Sequence, residues 1–284
     1  LTRVVNPMST ASFKKPGNGS KGISIAFIML MSVLPLALLA PPVGATNDPT
    51  QPAVGGTAYV TGNWTVTAAQ TYHDCTIVVS GNITVAPGGS LKLTNVTLKM
   101  NSTFDGQYKI TVGNGGALKA YSGSVITANN VNFVFEFVVN ATGTLEFDNV
   151  TLNHCGRNGA LPPSWQGLYV ESDNVRINNS DLSYNEYGII DFGANITVTN
   201  SSLTNNNYHG IWLSDSLDSR IENVNVSWNG YYGMAVLYSN LTRAKGILST
   251  NNSYDGIATY KSNLTMKNVL SRDNQRLGIL SQSA

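Results

Sequence analysis

Short runs in which apolar and polar residues alternate, broken every few positions by Gly, Asn, Asp or Ser, fill the second half of this chain. The segments GLYV, GIID, GIWL, GMAV, GIAT and GILS begin at Gly167, Gly188, Gly210, Gly233, Gly256 and Gly278, at intervals of 21, 22, 23, 23 and 22 residues. A second phase accompanies the first: LSYN from Leu182, LTNN from Leu203, VSWN from Val226, LSTN from Leu248 and LSRD from Leu270, closing on Asn185, Asn206, Asn229, Asn251 and Asp273. A third β-rich run lies between them, at Val175-Arg176-Ile177, Ile196-Thr197-Val198, Arg220-Ile221, Leu241-Thr242 and Leu264-Thr265-Met266. Such a unit, three short strands and their turns, cannot bury an apolar face alone and must stack on its neighbours. Alternate strand residues point to opposite faces. Leu168, Ile189, Ile211, Met234, Ile257 and Ile279 are therefore predicted to form one inward ladder, and Leu182, Leu203, Val226, Leu248 and Leu270 another. The repeat glycines suit a left-handed turn or close backbone approach. The asparagines suit side-chain hydrogen bonds passed from coil to coil.

Upstream, Gly89-Ser90-Leu91, Gly116-Ala117-Leu118 and Gly143-Thr144-Leu145 recur at intervals of 27, and Asn95-Val96-Thr97-Leu98 returns as Asn149-Val150-Thr151-Leu152. These read as larger coils of the same solenoid. The whole pattern resembles the right-handed parallel β-helix repeat proteins, a superfamily that includes pectate-lyase-like enzymes and the NosD-like accessory proteins of nitrous oxide reductase. The succession from Trp64 through GNITV, PGGSLKLTNVTL and HCG into GLYV is similar to surface β-helix proteins of archaea. The resemblance covers nearly all of the chain after residue 45. It implies an all-β fold, a right-handed single-stranded parallel β-helix of about nine or ten coils, roughly 45 Å long at ~4.8 Å per coil. It specifies architecture, and fold does not settle function. A leucine-rich repeat is set aside because its Leu-rich consensus with a fixed Asn is missing.

Residues 1–45 have a basic start (Arg3, Lys14, Lys15, Lys21), an apolar stretch over Ile23 to Ala40 and small residues at Val43-Gly44-Ala45. That is the layout of a secretory signal peptide; a retained membrane anchor is the competing reading. The expectation is a secreted or cell-surface protein with no membrane span after signal removal. Residues 46–54 read as a Pro-containing linker and 55–72 as an N-terminal cap with Trp64 and Tyr72. Coils of about 27 residues over 73–156 follow. Next come a loop insertion over 157–166 carrying Pro162-Pro163 and Trp165, and the shorter coils over 167–284. The last residues fall inside the first strand of a new coil, so a continuing natural chain is expected.

Removing the first 45 residues leaves an excess of acidic over basic residues and no basic run, which argues against a nucleic-acid partner. The 42% apolar share is ample for a core. One elongated domain, acting as a monomer, is expected. Cys75 and Cys155 are 80 residues apart, near three periods. In that register they occupy one face about 14 Å apart, beyond bridging range, so two free, buried thiols are predicted. His73 and His154, at nearly the same phase, then cannot share an ion, which weakens the copper-delivery role that a NosD-like resemblance implies. No metal site or cofactor is expected, apart from Ca²⁺ if the protein is a lyase.

Three sets of residues bear on function. Sequons begin at Asn63, Asn82, Asn95, Asn101, Asn140, Asn149, Asn178, Asn195, Asn200, Asn225, Asn240, Asn251 and Asn263. They suit N-glycosylation, although turn asparagines followed by β-branched strand residues generate NVT and NIT without it. Trp165, Tyr208, Tyr231 and Tyr254 each lie two residues before a repeat glycine. They form a candidate platform for sugar rings, an extracellular polysaccharide or cell-surface glycan; ring-on-ring stacking between coils is the plainer reading. Asp191, Asp215, His209 and Arg220 fall on neighbouring coils and are candidates for a polysaccharide lyase or glycoside hydrolase. Of the polygalacturonase signatures NTD, DD, GHG and RIK, only His209-Gly210 and Arg220-Ile221 are present. The DPH motif of mannuronan epimerases is missing. Solvated turn carboxylates explain the aspartates more simply.

Overall fold

The computed structural model describes residues 47–157, 166–240 and 242–282. The proposed signal peptide, Trp165, Leu241 and nearly all of the 157–166 loop lie outside these residues. Two sheets of ten parallel strands face each other across a filled bore. The first stacks Thr57–Thr61, Ala69–Ser80, Ser90–Met100, Ala117–Ala128, Thr144–Leu152, Val175–Asn178, Thr197–Thr199, Arg220–Glu222, Thr242–Lys245 and Leu264–Lys267. The second stacks Trp64–Val66, Ile83–Val85, Lys109–Val112, Glu136–Val139, Gly167–Val170, Tyr187–Phe192, Ile211–Ser214, Met234–Leu237, Ile257–Tyr260 and Ile279–Gln282. Leu248–Thr250 pairs with Leu270–Arg272 as a small third sheet. The result is a right-handed parallel β-solenoid of about nine turns.

The first predicted ladder is in register from end to end: Leu168, Ile189, Ile211, Met234, Ile257 and Ile279 pair in succession. All are fully buried except Ile279 on the last described coil. The repeat glycines are selected by close approach and not by left-handed backbone. A Cβ on Gly210 would stand 2.6 Å from the carbonyl oxygen of Gly233 on the next coil, and one on Gly188 would stand 2.4 Å from that of Gly210.

The second ladder holds for Leu182, Leu203 and Val226, but Leu248 and Leu270 are exposed. They align with Asn225 instead. The preceding apolar residue, Ile247, takes an interior place. Ser249 then stands inside where Val226 stood, its hydroxyl donating to Gly256 O at 2.8 Å. Two adjacent apolar residues offered two registers, and the structure takes the one that puts Ile247 level with the buried Val224.

Left-handed residues mark the corners. One corner carries Asp74, Asn95, Ser122, Asn149, Asn179, Asn200, Asn223, Gly246 and Asn268 in consecutive coils, all at positive φ. Asn, Asp and Gly tolerate that conformation, which accounts for the six asparagines at this corner. At a second corner His154, Tyr184, Asn205, Trp228, Asn251 and Asp273 are left-handed, and the residue after each belongs to an amide ladder. Backbone N–H groups of Cys155, Asn185, Asn206, Asn229 and Asn252 donate to the side-chain oxygens of Asn185, Asn206, Asn229, Asn252 and Asn274. The ladder members are therefore Asn252 and Asn274, not Asn251 and Asp273.

Both thiols are free and buried, but not for the reason of a shared face. Cys75 pairs with Val96 in the first sheet, whereas Cys155 pairs with Phe135 and heads the amide ladder at another corner. His73 and His154 are likewise on different corners. Residues 47–54 contain no strand but are held to the first coil. Gln51 bonds His73 through both its N–H and its carbonyl, Tyr72 donates to Pro49 O at 2.8 Å and Asn47 donates to Asn63 O at 3.0 Å. Within 55–72, Thr57–Thr61 and Trp64–Val66 pair with the following coil, so this stretch is itself the first coil. Among the described residues no helix is long and apolar enough to cross a membrane.

Candidate functional site

The four candidate catalytic residues do not converge. Asp191 pairs between Val170 and Leu213 in an inward column of the second sheet and is fully buried. Its carboxyl accepts from the Ser216 hydroxyl and, at 3.1 Å, from the Ala194 N–H. Burial pushes its pKa up to about 7. His209 is 2% exposed, and its Nδ1 accepts the Tyr232 N–H at 3.2 Å. Burial brings its pKa down to about 3, so the ring is neutral with its proton on Nε2. Asp215 is exposed at the corner after the second sheet, at φ 59°, where Gly193, Tyr238 and Lys261 are also left-handed. Arg220 stands on the outer face of the first sheet, paired with Glu222 at 2.7 Å. One of the four is thus inside the bore, one is walled in by aromatic rings, and two lie on separate exposed surfaces.

The tyrosine column stacks along the helix. Tyr187 and Tyr208 are parallel at 5.3 Å, Tyr231 and Tyr254 at 4.4 Å, and the Arg276 guanidinium lies 4.6 Å over Tyr254. A second stack pairs His209 with Tyr232 at 5.0 Å. Ring faces that a sugar would need are turned to one another. What remains open at Tyr208, 39% exposed, is one of the less ordered junctions, 6.4 Å and tilted, to Tyr231.

The accessible aromatic concavity lies beside this column, on the outer face of the second sheet. Tyr169, Ile190, Trp212, Ala235, Ala258 and Leu280 follow one another in a single outward register. Two bulky residues precede Trp212 and two alanines follow it, so the surface steps down at the indole edge. Tyr232 stands on one side of the step, Leu237 and Tyr260 on the other, enclosing a concavity of about 210 Å³. A smaller one, about 100 Å³, opens on the opposite side of Trp212 among Tyr187, Ile190 and Phe192. The indole Nε1–H of Trp212, which walls both, is buried and has no acceptor among the described residues. An orphaned donor costs about 1–3 kcal/mol. Apolar walls with one polar group in need of a partner suit a ring that has both C–H faces and hydroxyls. Trp212 directly follows the inward Ile211, so alternation alone marks it as outward. The concavity was not readable until the register placed two alanines beside it.

Sequon asparagines are distributed over corners and strand ends. Asn95, Asn149, Asn200 and Asn251 are left-handed corner residues. The side-chain amides of Asn95, Asn101, Asn178, Asn200, Asn251 and Asn263 donate to protein acceptors. Asn63, Asn82 and Asn240 are exposed and use only their oxygens as acceptors; Asn149 is exposed, Asn140 and Asn195 are half-buried, and the Asn225 oxygen is buried without a donor. Among the described residues no three His, Cys, Asp or Glu side chains are grouped to hold a metal ion.

Residues 166–284 match the family described as "Right handed beta helix region". No curated protein matches the chain. Among solved structures, the periplasmic alginate epimerase AlgG is similar over 83% of this chain and 79% of its own, at 11% identity and a TM-score of 0.45. The A-module of the mannuronan C-5 epimerase AlgE6 of Azotobacter vinelandii is similar over 80% and 71%, at 16% identity and a TM-score of 0.38. The Dettilon tailspike protein is similar over 78% and 61%, at 13% identity and a TM-score of 0.32. What the chain has in common with these proteins is the parallel β-helix, and the likeness reaches no further than that fold.

Proposed function

We propose that the protein is an exported β-helix, secreted or held at the cell surface, that binds an extracellular polysaccharide by taking sugar rings into the groove at Trp212. The observation that carries this reading is the buried indole N–H, unpartnered among the described residues, of the tryptophan that walls two aromatic-lined concavities. A ring seated on Ala235 and Ala258 presents its C–H face to Tyr232 and Tyr260. A small turn of the indole then gives its N–H a hydroxyl oxygen. The alternative is a lyase or hydrolase of extracellular polysaccharide; of its four candidates Asp191 and His209 are buried, and Asp215 and Arg220 are exposed on separate surfaces.

The test is to incubate the protein with a panel of neutral and acidic polysaccharides, following retention and covalent change of the polymer together. Retention without change is the expected result. Trp212→Ala should weaken it by about 2 kcal/mol, about thirtyfold, in line with a buried tryptophan anchor. Shortening or epimerisation of the polymer would replace binding with catalysis, and unaltered retention by Trp212→Ala would remove the groove from the account.

A further inference from the structure

The first coil covers the end of the solenoid unevenly. The long strand Ala69–Ser80 meets different neighbours along its two halves. Beside the first half, Gln51 stands in for a strand: its Nε2 donates to His73 O at 2.9 Å and its Oε1 accepts the His73 N–H at 3.1 Å. Beside the second half lies Thr57–Thr61, paired from Thr57 with Thr76 to Thr61 with Ser80. The bore is closed here, because Trp64 and Tyr72 are buried and the Tyr72 hydroxyl is tied to Pro49 O. The outer edge of Thr57–Thr61 has no comparable cover.

The Thr76 N–H donates to Gly56 O at 2.9 Å, and the Gly62 N–H donates to Ser80 O at 3.0 Å. These bonds set the phase of the parallel ladder between them. Ala58 and Val60 bond to Ala69–Ser80, whereas Thr57, Tyr59 and Thr61 turn their N–H and C=O groups the other way, where the described residues offer them no partner. Between this strand and residues 47–52 opens a concavity of about 570 Å³. Natural edge strands are blunted by Lys, by Pro or by a bulge. The stretch GGTAYVTGN from Gly55 to Asn63 carries no charge and no Pro, and its pairing runs without a bulge.

We propose that this edge pairs antiparallel with the same edge of a second copy of the chain, across a two-fold axis at Tyr59, in place of the monomer expected from the sequence. The strand TAYVT reads almost alike in both directions. In that register Thr57 faces Thr61 of the partner subunit and Tyr59 faces Tyr59 of the partner subunit, each pair exchanging both of its backbone bonds. Tyr59, 77% exposed in the single chain, then packs ring against ring. On the bore side Ala58 faces Val60 of the partner subunit, small against branched, and no like charges meet. Such an isologous contact uses the edge of both copies and closes, so it gives a dimer and not a fibre. An extended peptide of another protein would use the same backbone groups, but a second copy also matches the side chains row by row.

Sedimentation equilibrium over a range of micromolar concentrations tests the assignment. The expected result is a reversible equilibrium between monomer and dimer. Thr57→Lys with Thr61→Lys sets lysine against lysine on both sides of the axis and should raise the dimer dissociation constant about tenfold or more. Thr57→Lys with Thr61→Glu sets lysine against glutamate on both sides and should hold the dimer at least as tightly as the wild type. Both threonines are exposed, and the second variant shows that a charged edge still folds. Trp212→Ala should leave the equilibrium unchanged, which keeps this interface distinct from the groove. A monomer at every concentration, as pairing with residues upstream of Asn47 or with a foreign peptide would give, overturns the proposal. So does a dimer indifferent to both double variants, or one weakened equally by the two.

Discussion

Asp191 and His209 are two buried titratable groups whose pKa values move in opposite directions. For Asp191 the folded state holds a proton that the unfolded state has lost between pH 3.8 and about 7, so its contribution to stability falls as pH rises through that window. For His209 the unfolded state binds the extra proton between about 3 and 6.5, so its contribution rises with pH. In the wild-type protein the two oppose each other over most of the mildly acidic range. Asp191→Asn, which keeps an acceptor for the Ala194 N–H, should remove the term that opposes the histidine, giving a melting temperature that climbs more steeply from pH 4 to 6.5 than that of the wild type. His209→Phe should give the reverse, a melting temperature that falls toward neutral pH. Thermal melts of the three proteins across that range check both signs; parallel profiles would mean that neither group is buried as described. The inward direction of Asp191 was readable beforehand, because it stands two residues after the inward Ile189. The chemical appeal of a carboxylate obscured a simple alternation.

At the scale of the element, the short downstream strands fall where periodicity puts them, and the errors in that half arise where two like residues adjoin. Ile247-Leu248 offered two apolar registers and Asn251-Asn252 two amide registers; the period of 21 to 23 residues is too loose to choose between neighbours. The backbone chooses. Asn251 is left-handed at φ 57°, while Asn252 is fully buried and donates to Asn274 Oδ1 at 2.9 Å and to Ser249 Oγ at 3.1 Å. Asn252→Ala should therefore strand the Asn229 N–H and cost about 2–4 kcal/mol. Asn251→Gly should change stability by less than about 1 kcal/mol, because glycine accepts that backbone freely. Denaturant midpoints of the two variants distinguish the ladder residue from the corner residue. Equal losses would put the ladder one position earlier.

Over the whole molecule, the repeat made the architecture legible, and it hid the site for the same reason. A solenoid's coils are alike in sequence because each solves the same packing problem, so a binding surface appears only as departures along one column. The alanines after Trp212 are such a departure, visible once the register aligns residues some 22 positions apart. The tyrosines drew attention in sequence because they recur, and recurrence here marks stacking. One consequence of the end-to-end register is mechanical. Each coil is joined to its neighbours through parallel backbone bonds, side-chain relays, stacked rings and the shared core, so tension applied to the two ends loads these contacts in series and not together. Stretched in an optical trap, the downstream half should yield one coil at a time, each event releasing roughly 75 Å of chain at ~3.4 Å per extended residue. The protein would then behave as a ratcheted tether that lengthens under load while the coils still folded keep whatever they hold.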